Sequence, residues 1–170
     1  EIGSTIFGVR ATCDGDEGLW LLTMPMTTEQ AVIGGRETYG EPKKIAAIDF
    51  RAEGEEVSAR VTRMGVTYLE ASGRLGAALG PRTLVEHAWC VKALPACEKG
   101  GAAALDGEPL LVQLEWRHRH ERVHPVEAGA LVLRESPFDP VADLPVRRLQ
   151  RIEFEEGTTE SNGRVLRPLP

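Results

Sequence analysis

Gly54-Glu55-Glu56-Val57-Ser58-Ala59-Arg60-Val61-Thr62-Arg63-Met64-Gly65-Val66-Thr67-Tyr68-Leu69-Glu70-Ala71 alternates apolar and polar side chains on both sides of a glycine break. Val57, Ala59 and Val61 share one parity, and Ser58, Arg60 and Thr62 the other. A period of two belongs to a strand with one face wetted. The Gly54-Glu55-Glu56 turn and the break at Gly65 make this stretch a meander, with strands expected at 56–64 and 66–71.

The same grammar extends in both directions. The chain holds 18 glycines and 11 prolines, placed between short segments rich in Val, Leu, Ile and Thr, as turns between strands require. Further strands are expected at 5–11, 19–26, 43–51, 88–94, 110–123, 130–135 and 148–155. One short helix is expected at 28–34, with Thr27 or Thr28 as N-cap and Glu29 in its first turn, ended by Gly34-Gly35. A second helical turn at 81–87 would open on Pro81. The Gly- and Ala-rich stretch 96–108 reads as a surface loop. The expected class is mainly β (α+β), as one domain over 1–170, with strands closed into a barrel or sandwich that leaves no sticky edge.

Composition limits the function. The 170 residues are 42% hydrophobic and 27% charged, enough for one substantial core. Twenty basic against 26 acidic side chains give a formal charge of −6, a field that opposes nucleic acid and anionic membrane surfaces. No apolar run approaches the ~20 residues of a membrane-spanning helix, and no secretory signal opens the chain. Cys13, Cys90 and Cys97 match neither a zinc ribbon nor a redox pair and read as reduced thiols of a cytoplasmic protein. The chain starts at Glu1 and runs directly into the β-like Ser4-Thr5-Ile6-Phe7-Gly8-Val9, so a segment upstream is expected to be missing.

The most unusual stretch is Gly34-Gly35-Arg36-Glu37-Thr38-Tyr39-Gly40-Glu41-Pro42-Lys43-Lys44-Ile45. A Gly/Pro loop delivers two lysines onto the start of an apolar strand. Strand alternation places Lys43 in parity with Ile45 and Lys44 with Ala46, so at least one is expected to point inward. Burial disfavours the charged form of an amine, and a neutral amine attacks carbonyls to give an imine that, once protonated, accepts electrons. By spacing alone, a Lys-Lys pair beside a turn is more often a solvated charge pair.

Gly35-Arg36-Glu37 followed by Gly40-x-Pro42-Lys43-Lys44 resembles the signature of the acetoacetate decarboxylase superfamily. Leu131-Val132-Leu133, Phe138-Asp139-Pro140 and Asp143-Leu144-Pro145-Val146 resemble its C-terminal region, in the right order. The resemblance implies a cone-shaped closed β-barrel with few short helices, and a Schiff-base lysine at Lys43 with Lys44 as neighbour. Acetoacetate decarboxylase is itself the known example of a lysine activated by a nearby cation. Strand parity instead separates Lys43 from Lys44 and makes desolvation by apolar walls the expected cause of activation. The opening Glu1-Ile2-Gly3 resembles the segment that carries the family's glutamate. Glu1 is therefore a candidate for proton handling or substrate positioning, and equally an ordinary terminal glutamate. The family's carboxylate-gripping arginine lies upstream of this chain, and no substrate-binding residue is assigned. Glu41 stands where the family carries an aromatic residue.

Other constellations read as structural. His118 and His120 share a strand face about 6.6 Å apart, but His124 and three interleaved arginines spoil a metal motif. Leu110, Val112, Leu114 and Trp116 form a core face, and Trp20, Leu22, Met24 and Met26 share a parity suited to walls near Lys43. The stretch from Asp139 to Val146 reads as a rigid connection whose aspartates cap turns. The expected function is decarboxylation of a small β-keto acid such as acetoacetate through a buried lysine. Aldol condensation and dehydration on pyruvate-like acids through the same lysine is the alternative, as is a ligand-binding barrel without turnover. No cofactor and no metal is implied. The expected partners are a keto-acid substrate and further copies of the chain in a homo-oligomer.

Overall fold

The computed structural model describes residues 2–97 and 104–170. Nine strands and one α-helix follow in the order β1 (Phe7–Cys13), β2 (Asp16–Met26), α1 (Glu29–Tyr39), β3 (Lys43–Ile45), β4 (Ala47–Glu53), β5 (Glu56–Arg63), β6 (Val66–Leu75), β7 (Arg82–Lys92), β8 (Leu110–Leu133) and β9 (Glu153–Pro168). The expected mainly-β class holds. The strands form one path, β1-β2-β7-β8-β6-β5-β4, with β3 beside β2 and β9 beside β8. Among the described residues this path does not join its ends, so the closure expected from sequence is absent from the strand pairing.

The meander forms as read. β4, β5 and β6 pair antiparallel in sequence order. Met64 (φ +51°) and Gly65 (φ +80°) both take the left-handed conformation, which lets a two-residue hairpin follow the twist of its strands. Val57 and Val61 point into the protein, as the alternation requires.

β8 is the spine. Its first half lies between β7 and β9, and its second half pairs with β6. The sequence suggests two strands here, at 110–123 and 130–135. Ala128 instead takes φ +49°, and the register with β6 shifts nearby, so the strand bends without losing its neighbours. Its core face is buried at Val112, Leu114 and Trp116. Leu111 and Gln113 on the other face are also buried.

Four expectations are corrected. The segment 81–87 is strand, because Arg82 to His87 pair with the His120 to Glu115 stretch of β8. The last strand is Glu153–Pro168 and not 148–155. Nearly all of it is exposed, so it is held by its ladder to β8 and leaves no apolar period to read. The helix does not stop at Gly34-Gly35. It continues to Tyr39 and ends at Gly40, whose φ of +76° supplies the left-handed cap. The face expected from Trp20, Leu22, Met24 and Met26 is also only partly formed. Met24 and Met26 are buried, whereas Leu22 is exposed and Leu21 takes its place inside.

Two apolar clusters result. One gathers Leu21, Met24, Ala88, Cys90, Val112, Leu114 and Trp116, with Tyr39 of α1 against it. The other gathers Val61, Tyr68, Leu69 and Val141. β3 runs between the elements that build them, parallel to the end of β2.

The two helix glycines make opposite predictions. A Cβ on Gly34 would meet nothing within 4 Å, whereas one on Gly35 would come within 2.6 Å of Lys43 Nζ and also overlap Glu41. Gly34→Ala is expected to raise stability by about 0.5–1 kcal/mol, the helix-propensity gain. Gly35→Ala is expected to lose that gain to the displaced side chains. Urea unfolding of the two variants checks the contrast, and equal stabilisation by both would refute the role given to Gly35.

Candidate active site

The quoted signature residues build this site largely through the backbone. Thr28 caps α1, its Oγ accepting from the Ala31 N–H at 3.4 Å. At the other end the Gly40 N–H donates to the Arg36 carbonyl at 3.0 Å and the Glu41 N–H to the Gly35 carbonyl at 3.3 Å. A side chain on Gly40 would collide with the backbone of Val91 and Lys92 on β7. The turn is then stitched to β2, where the Met24 N–H donates to the Pro42 carbonyl at 2.9 Å. Arg36 reaches back from the helix and donates to the Lys43 carbonyl at 3.3 Å.

This frame fixes where Lys43 goes. Its Nζ lies 2.7 Å from Glu41 Oε2, with 14% of the lysine side chain and 7% of the glutamate side chain exposed. Gly35 forms the floor beneath the pair, since a methyl group there would occupy the same space. Cys90 on β7 closes the apolar side, its thiol donating to the Tyr39 carbonyl at 3.3 Å. Burial pushes the Cys90 thiol up to about 12; the Glu41 carboxylate adds to the shift and Lys43 opposes it.

Lys44 engages different groups. Its Nζ sits 2.8 Å from Asp139 Oδ1 and 3.3 Å from the Phe138 carbonyl. Arg63 from β5 holds the other carboxylate oxygen at 3.2 Å, and the Thr23 hydroxyl of β2 donates to Oδ1 at 3.4 Å. The Asp139 side chain is fully buried. Ser136 Oγ accepts from the Phe138 and Asp139 N–H groups, both at 3.3 Å, and so shapes the turn that aims the carboxylate. The Tyr68 hydroxyl is buried beside this cluster with no hydrogen-bond partner. Burial raises its pKa above the ordinary phenol range; Asp139 adds to that rise and Arg63 counters it.

Of the residues singled out in the sequence, Lys43 and Lys44 thus receive separate partners, as strand alternation anticipates, and Glu1 lies outside the described residues. Glu41 is a buried partner of Lys43, a role its position alone did not reveal. Asp139 was read as a turn cap in a rigid connection, and it is instead the carboxylate that neutralises Lys44. The Asp-Pro step advertised a turn, while the cations it serves lie on strands far away in sequence. His118 and His120 sit on β8 with ring centroids 5.2 Å apart, near Glu86 and Glu155 respectively. Burial and the His118 charge keep His120 below the ordinary histidine range. A cavity of about 460 Å³ lined by Asp49, Arg51, Arg60, Glu70 and Val132 lies along the meander and includes neither lysine.

Asp139→Asn removes the charge that two cations share inside the protein and is expected to cost about 3–5 kcal/mol in urea unfolding. Lys44→Met should cost less, since Arg63 and Thr23 stay on the carboxylate; an Asn variant as stable as the parent would refute the assignment. Cys90 is protonated in the folded protein at pH values where an unfolded thiol, with a pKa near 9.0, has begun to ionise. The unfolded chain then binds fewer protons, so this group's contribution to stability is complete below pH 9 and falls as pH rises towards 12. Thiol titration at pH 8.5 should find exposed Cys97 reactive and Cys90 silent until denaturant is added.

The acetoacetate decarboxylase (ADC) family model matches residues 3–168. The acetoacetate decarboxylase of Legionella pneumophila superposes with a TM-score of 0.81 at 16% identity, covering 99% of this chain and 68% of that one. The enduracididine biosynthesis enzyme MppR complexed with pyruvate gives 0.70 at 13% identity, covering 98% and 66%. An acetoacetate decarboxylase-like enzyme from Sphingomonas wittichii gives 0.66 at 18%, covering 99% and 70%. The chain thus spans about two thirds of the length of these structures. No curated protein matches the sequence.

Proposed function

We propose, from the fact that this chain belongs to the acetoacetate decarboxylase family, that it contributes the Schiff-base lysine of a carboxy-lyase acting on a small β-keto acid. The observation that carries this reading is the setting of Lys43. It is the first lysine of the family signature, it is held at the junction of α1, β3 and β7, and it is separated from Lys44, whose charge Asp139 takes up.

The chemistry needs an amine that adds to a ketone. The Lys43 nitrogen forms a bond to the carbonyl carbon, and the oxygen leaves as water, giving an iminium. The bond to the substrate carboxylate then breaks, carbon dioxide departs, and the electron pair moves into the iminium to give an enamine. Protonation at carbon and hydrolysis return the ketone and free lysine. Glu1 is the group in this chain proposed to handle the proton at carbon. The apolar cluster of Met24, Cys90 and Leu114 beneath α1 supplies the low-dielectric side of the site.

Reduction with borohydride in the presence of acetoacetate, followed by intact-mass measurement and peptide mapping, is expected to place a stable adduct on Lys43. Lys43→Ala should abolish it. Release of carbon dioxide without added aldehyde identifies decarboxylation, whereas a conjugated product from pyruvate plus an aldehyde would identify condensation. A folded protein that binds keto acids yet gives no adduct would replace this reading with that of a binding module.

A further inference from the structure

We propose that Glu41 is the proton carrier and counter-ion of Lys43: it takes a proton from the lysine so that the amine can attack, and returns it to expel water. This inference rests on the Schiff-base reading above. Its geometric basis is the 2.7 Å approach of a partly buried lysine to a buried carboxylate over Gly35, at the position where the family signature read from sequence has an aromatic residue.

Among the described residues, Lys43 Nζ is the group that meets Glu41 Oε2, and a buried carboxylate without a cation is strongly disfavoured. Three other polar or charged side chains nearby, those of Arg36, Cys90 and Lys92, are already engaged. Arg36 and Tyr39 come from α1, and Cys90 and Lys92 from β7. Arg36 donates to the Lys43 carbonyl, Lys92 donates to the Thr38 carbonyl at 3.1 Å, and Cys90 is a neutral thiol bonded to the Tyr39 carbonyl. Met24, beside Lys43 on β2, carries no charge. Glu41 is therefore the group placed to exchange a proton with Nζ.

The two forms of Lys43 that carry a positive charge are the resting ammonium and the iminium. The neutral amine between them is needed only for the attack. One proton moves from the ammonium to Glu41, and the freed lone pair bonds to the carbonyl carbon while the carbonyl π pair moves to oxygen. A second nitrogen proton passes to that oxygen, giving a neutral carbinolamine. Glu41 then protonates the hydroxyl, which departs as water as the nitrogen lone pair closes the C=N bond. The iminium keeps one proton, water carries two, and Glu41 is again a carboxylate beside a cation. The carboxylate thus stabilises the electron-accepting iminium over the uncharged imine that could not draw electrons.

Glu41→Gln keeps shape and removes the charge. The test measures the rate of the borohydride-trapped adduct at Lys43 against pH, with acetoacetate as the probe. Without the neighbouring carboxylate, the adduct is expected to form about 100-fold more slowly, for lack of the group that takes up the proton and returns it to expel water. Raising the pH is not expected to restore the parent's rate, which separates loss of the acid from a shortage of free amine. Glu41→Asp should lie between the two, and circular dichroism checks that each variant is folded. A folded Gln variant with the parent's rate across the pH range overturns the proposal while leaving the adduct, and so the Schiff-base reading, intact. If the Gln variant does not fold, the Asp variant decides, and a parental profile in it overturns the proposal. No adduct on the parent protein overturns both readings together.

Discussion

A carboxylate with no exposed surface must be met by cations wherever the chain can bring them, and Asp139 sets that condition here. Lys44 comes from β3, Arg63 from β5 and Thr23 from β2, so satisfying one side chain seats three strands against the turn at Ser136. Lys44 has to face that turn. Because successive strand residues project oppositely, Lys43 is then directed to the other side, under α1. The direction of the candidate nucleophile follows from a charge that belongs to its neighbour.

This arrangement divides the two lysines by chemistry as well as by position. Lys44 has a buried anion held from both ends by positive groups, and its own field is largely cancelled there. Lys43 has one carboxylate, itself buried, at hydrogen-bond distance. An activating role for Lys44 as a bare cation beside Lys43 is hard to sustain in such a setting, because its charge is matched by Asp139 at 2.8 Å. The local environment of Lys43 is set by Glu41, by the floor at Gly35 and by the desolvated thiol of Cys90. Two adjacent identical residues thus have different neighbours, although the sequence presents them as a doublet.

What could be read in the sequence was what is local. The meander shows itself in alternation at Val57, Ala59 and Val61, the start of α1 in Thr28, and the divergence of the lysines in the period of a strand. What could not be read depends on distant partners. β9 is strand because β8 is beside it, not because its Thr- and Glu-rich residues have an apolar face. β8 passes through Ala128-Gly129 because β6 continues to pair across the bend. Helix α1 runs through two glycines because Gly35 is needed where Lys43 and Glu41 pack, and the true end lies at Gly40. Asp139 looked like a turn residue and is one; its burial against Lys44 involves a contact across 95 positions. Closure was expected both from the many short strands and from the resemblance, and the path of strands among the described residues is open.

The sequence distance of that contact has a consequence for how the chain comes into being. The meander of β4, β5 and β6 joins neighbours through short turns and can form early, since local pairings carry little loop-closure cost. On a ribosome, however, Lys44 and Arg63 emerge long before Asp139 is synthesised. Until it arrives, both cations lack the anion that makes their inward placement favourable, and the surfaces around them must stay wet. Seating the Ser136 turn is therefore a late event, and the orientation of Lys43 becomes fixed only then. An N-terminal portion of this chain that contains the entire lysine signature still lacks the carboxylate that orients it.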